Sequence, residues 1–79
     1  MYSAKDLGIK VNLNKCRGLS RGAKDLLAFL HRAYNEVDYS GNEAAADELI
    51  ERGAINKTES RFIYCSGGDV IDLNYEFWE

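Results

Sequence analysis

Residues 20–37 read SRGAKDLLAFLHRAYNEV. After Ser20, the apolar residues Ala23, Leu26, Leu27, Leu30, Ala33, Tyr34 and Val37 recur at steps of three and four. That spacing collects them into one stripe along a helix of about 15 residues. Lys24, Asp25, Arg32 and Asn35 take the other side, with Phe29 at the flank of the stripe. Ser20 is an N-cap residue, its hydroxyl suited to a free amide of the first turn. This helix is the expected core element, and the rest of the chain is read around it.

Downstream, Ser40-Gly41-Asn42-Glu43 has the S-x-x-E spacing of a capping box, with Glu43 able to reach back to the Ser40 amide. A second helix is expected through Arg52. Its inner face is Ala45, Ala46, Leu49 and Ile50, small enough for close approach to its neighbour, and Gly53 stops it. Upstream, Ile9-Lys10-Val11-Asn12-Leu13-Asn14 alternates apolar and polar, the pattern of a half-buried strand. Lys15-Cys16-Arg17-Gly18 closes it as a basic loop, and Ser3 can cap a short turn, Ala4 to Leu7, ended by Gly8.

Beyond the second helix, Arg61 to Cys65 and Val70 to Tyr75 flank Ser66-Gly67-Gly68-Asp69, a hairpin signal. Ile71, Leu73, Tyr75 and Phe77 then share one face, with Asp72, Asn74 and Glu76 on the other. The expected class is α+β: one domain over residues 1–79, with two main helices on a three-stranded antiparallel sheet. The order is also that of a winged helix. Asp47-Glu48-Leu49-Ile50-Glu51-Arg52-Gly53-Ala54-Ile55, followed by a hairpin, resembles a recognition helix leading into a wing.

The 79 residues are 46% hydrophobic, too apolar for a disordered chain. The longest uninterrupted apolar run is the five residues Leu26 to Leu30, so neither a membrane span nor a signal-peptide core is expected, and a cytoplasmic location is the default expectation. Cys16 and Cys65 are 49 positions apart, and neither has a second cysteine at metal-ligand spacing. Buried free thiols are the simpler reading; a disulfide stays open, and no cofactor is expected.

Charge is divided by position. Residues 1–34 carry seven cations (Lys5, Lys10, Lys15, Arg17, Arg21, Lys24, Arg32) against Asp6 and Asp25, a net of +5. Residues 35–79 carry eleven carboxylates against Arg52, Lys57 and Arg61, a net of −8. Such a field favours charge-complementary partners and speeds encounter with them. Glu43, Asp47 and Glu51 fall at i, i+4 and i+8, one stripe of like charge that costs helix stability, while Glu48 lies on another side. With Asp69, Asp72 and Glu76 beside the C-terminal aromatics, they form the expected protein-docking set. An ordinary solvated face is the alternative.

Lys10, Lys15, Arg17, Arg21 and Lys24 form the opposite candidate, a patch for nucleic-acid phosphates at the start of the main helix. Internal pairing with the acidic half would equally account for it. The acidic second helix would repel DNA where a winged helix reads it. The single histidine, His31, has no metal or catalytic partner at helical spacing and reads as a packed or surface residue. No residue set for catalysis is present, and the chain is not expected to be an enzyme.

In size, acidity, compactness and lack of a diagnostic motif, the chain resembles small phage-encoded inhibitors of the anti-CRISPR type. The resemblance implies a protein that blocks a nucleic-acid-binding or subunit surface of a host defence complex, in the host cytoplasm. Its partner would be a basic protein surface, with no membrane and no small-molecule substrate involved. Homodimerisation stays open, with Tyr39, Phe62, Tyr64 or Trp78 as surfaces for it.

Overall fold

The computed structural model describes residues 3–57, 59–63, 73–74 and 76–78. Four elements follow one another: α1 (Arg21–Arg32), β1 (Val37–Asp38), α2 (Glu43–Arg52) and β2 (Phe62–Ile63). The fold is α+β, two packed helices with a two-stranded antiparallel sheet pairing Val37 with Ile63 and Asp38 with Phe62. Two isolated antiparallel bridges complete the pairing: Val11 with Trp78 joins the N-terminal segment to the C-terminal one, and Ile55 with Leu73 joins the turn after α2 to the C-terminal segment.

The α1 helix starts where its sequence says. The Ser20 hydroxyl accepts the Ala23 amide at 3.2 Å, and Ala23, Leu26, Leu27 and Leu30 are buried. Each buried leucine contributes about 1.5–3 kcal/mol by leaving water. The helix ends at Arg32, five residues before the apolar pattern does at Val37. Ala33 is extended, and the His31 carbonyl accepts the Lys5 amide at 2.9 Å instead of continuing the helical ladder. Tyr34 therefore leaves the stripe for the surface, and Val37 is buried from β1 rather than from the helix.

The turn that supplies Lys5 is the expected one. The Ser3 hydroxyl accepts the Asp6 amide, the Asp6 carboxylate accepts the Ser3 amide, and Gly8 closes the turn at φ 78°. The strand expected over Ile9–Asn14 reduces to the single bridge at Val11. The Asn12 side chain accepts the Asn14 amide at 3.1 Å, and its carbonyl accepts the Lys15 amide. This local asparagine turn competes successfully with sheet pairing and leaves Leu13 77% exposed.

The capping box at Ser40 does not form. The Asp38 carboxylate takes both the amide and the hydroxyl of Ser40, at 2.8 and 2.7 Å, so Asn42 is the N-cap of α2. At the other end, Gly53 adopts φ 84°, and the Ala54 amide bonds the Leu49 carbonyl at 2.9 Å. That glycine cap turns Ala54 and Ile55 into the core.

Ala46 and Leu49 of α2 meet the leucines of α1, and Leu73, Phe77 and Trp78 complete the core. The expected turn at Ser66–Asp69 and most of the strand after it lie outside the described residues. Among the described residues, no helix is long and apolar enough to cross a membrane.

Candidate protein-docking surface

The buried residues of α2, Ala46 and Leu49, fix its orientation. At about 100° per residue, Glu43, Asp47 and Glu51 then fall on the outer side. All three are exposed. The carboxyl of Glu43 is held below its usual range, first by its own backbone amide and then by that of Gly41, so it is ionised at neutral pH.

Glu48 departs from the expected set. Its carboxylate accepts the Ser20 amide at 2.7 Å at the start of α1. Hydrogen bonds from the Ser20 backbone and side chain, with the nearby Arg52, lower its pKa. An anion placed there also meets the positive end of the α1 dipole. A carboxylate of the chain itself thus already sits at the start of α1, the place expected for phosphate contact by the basic patch. Glu76 is exposed, and its backbone carbonyl accepts the Lys15 ammonium at 2.5 Å. Asp69 and Asp72 lie outside the described residues.

The acidic surface extends to residues that spacing did not single out. Two adjoining depressions, of about 360 and 340 Å³, share Phe29, Val37 and Asp38. Asp25 rims one, and Tyr34 and Glu36 line the other. Phe29 is 47% exposed and Tyr34 is 51% exposed. Asn42, the N-cap of α2, lines the first depression, so the groove reaches the start of the helix that carries Glu43. Hydrogen bonds from the Ser40 side chain and amide, then the charge of Arg61, keep Asp38 ionised.

The groove has the chemistry to receive a cation. The chain's own Arg32 guanidinium stands 5.9 Å from the centre of the Phe29 ring, and Arg61 stands 3.7 Å from the Asp38 carboxylate. The Phe29 ring and the Asp38 carboxylate thus each already face a cation of the chain itself, which an incoming arginine would have to join or displace. In the sequence, Phe29 reads only as the flank of a helix stripe and Tyr34 as part of it. Phe29 is exposed from within α1, at the flank of the buried stripe, and the early end of the helix brings Tyr34 to the surface beside it.

The basic candidates Lys10, Lys15, Arg17, Arg21 and Lys24 are all exposed. Among the described residues, the one ion pair is Arg61 with Asp38; none joins this basic group to the acidic half. The two halves are instead held by polar bonds to backbone. Arg52 donates to the carbonyls of Lys15, at 2.9 Å, and of Arg17. Compared with protein-family models, curated proteins and solved structures, the chain matches none.

Proposed function

We propose that this chain is a small protein-binding inhibitor that docks its acidic face on a basic, nucleic-acid-binding surface of another protein, the role implied by its resemblance to phage-encoded anti-CRISPR proteins. The observation that carries the reading is the half-exposed pair Phe29 and Tyr34 set among Asp25, Glu36 and Asp38. Aromatic side chains supply rigid contact area, and surrounding carboxylates supply steering and partner choice. Glu43, Asp47 and Glu51 extend the same sign of charge along α2. Glu48, bonded within the chain to the Ser20 amide, is less available to a partner than these three.

The test is affinity capture from host lysate with tagged protein, followed by elution with heparin, a polyanion that competes for basic grooves. The expected result is a nucleic-acid-binding partner that heparin releases and that the Asp47→Lys/Glu51→Lys variant fails to hold, with unchanged circular dichroism. Equal capture by wild type and double variant would remove the α2 stripe from the interface.

A second reading has one observation in its favour, the exposure of Lys10, Lys15, Arg17, Arg21 and Lys24 without ion pairs among the described residues. It is a small winged-helix regulator that contacts nucleic-acid phosphates through this patch. Tight duplex binding in a low-salt gel shift, falling steeply as salt rises, would favour it over the inhibitor.

A further inference from the structure

The α1 helix is a ridge between two unlike grooves. On the side of Asp25 and Phe29 lies the acidic, aromatic groove already described. On the other side, Lys24, Leu27 and Ala28 border a groove of about 450 Å³ whose far side is Leu13, Cys16 and Arg17. Its lining is mainly aliphatic, and Leu13 stands 77% exposed at its edge. Both charged residues on it, Arg17 and Lys24, are cations and exposed.

We propose that this groove binds an acidic, leucine-bearing peptide segment of a partner protein, with a leucine-sized side chain seated against Leu13, Leu27 and Ala28 and carboxylates paired to Arg17 and Lys24. Charge complementarity selects the sign of the partner, and the concave aliphatic lining selects an inserted side chain. A single-stranded nucleic acid would call for exposed aromatic rings to stack its bases, and this groove has none. A bilayer would call for a projecting apolar surface rather than a recess. The site shares no residue with the acidic docking face, so the two proposals stand or fall separately.

The test uses a fluorescein-labelled synthetic peptide with Leu and Glu at amphipathic helical spacing. A matched Leu and Lys peptide, a single-stranded oligonucleotide and phosphatidylserine vesicles serve as competitors. Anisotropy should show saturable binding of the Leu and Glu peptide alone. Amide shifts in nitrogen-15 spectra should concentrate at Leu13, Cys16, Leu27 and Ala28. Leu13→Asp and Lys24→Glu change exposed positions, so circular dichroism should be unchanged while each weakens binding about tenfold. The Asp47→Lys/Glu51→Lys variant should bind the peptide as wild type does.

Cys16, half-buried in the groove with its thiol pKa raised by burial against the lowering effect of Lys24 and Arg52, provides a second readout. In a Cys65→Ser background, saturating peptide should slow its modification by a maleimide. Absence of saturable binding, equal binding of the Leu and Lys peptide, shifts centred elsewhere, or stronger competition by oligonucleotide or vesicle would each overturn the proposal.

Discussion

Glu48 accepts the Ser20 backbone amide at 2.7 Å, joining the side of α2 to the first turn of α1 across 28 positions of sequence. Ser20 thereby acts twice, since its own hydroxyl caps Ala23. Ser20→Ala should cost about 0.5–2 kcal/mol in urea unfolding, and Ser20→Gly less. The depressed pKa of Glu48 sets the sign of its pH dependence. Its contribution is present above the ordinary glutamate range, about 4.3, and fades as pH falls through the lower folded value. Glu48→Gln should show a shallower loss of stability on acidification than wild type; an identical pH profile would remove the charge of Glu48 from this contact.

Gly53→Ala tests the end of α2. An added Cβ would meet only the Asn74 amide nitrogen, at 3.8 Å, an ordinary contact. The cost is therefore conformational, the left-handed φ of 84°, about 1–2 kcal/mol. Thermal unfolding should shift down by several degrees, with native-state circular dichroism unchanged.

Trp78 is buried, donates from its indole to the Ala54 carbonyl at 3.3 Å, and stacks 5.8 Å from the His31 ring. The same carbonyl also accepts the Asn74 amide, so it keeps a partner when the indole is removed. Trp78→Phe should therefore cost about 0.5–1.5 kcal/mol for the hydrogen bond plus the smaller ring's lost packing. Trp78→Ala should cost about 3–5 kcal/mol. As the chain's single tryptophan, Trp78 should emit at short wavelength when native and shift to the red on unfolding.

Phe29→Ala and Tyr34→Ala separate docking from folding. Both side chains are about half exposed, so neither change should lower the unfolding free energy by more than about 0.5 kcal/mol. Under the inhibitor proposal each should weaken capture of the partner. Glu36→Lys, at the rim, should instead slow association and reduce its salt dependence. Partner affinities unchanged in both aromatic variants would show that the groove is not the contact.

What could be read directly was local. Ser20 as a cap, the buried face of Ala23, Leu26, Leu27 and Leu30, the Ser3 turn and the Gly53 stop each rest on groups a few residues apart. His31 read as a packed or surface side chain, and it is half-buried, with Nε2 2.6 Å from the Ile9 carbonyl. Where local signals competed, spacing alone chose wrongly. The capping box at Ser40 lost to the nearer carboxylate of Asp38, and the alternation over Ile9–Asn14 lost to the Asn12 turn.

The amino-acid order by itself determined the α+β class, the positions of both helices and the division of charge between the halves, because helical periodicity and capping act over one or two turns of chain. Tertiary structure decided the end of α1 through Lys5 and His31, the structural use of Glu48 at Ser20, and the grouping of Phe29 and Tyr34 with Asp38. Those outcomes depend on groups far apart in the chain meeting in space, and such meetings leave no periodic trace in either partner's neighbourhood.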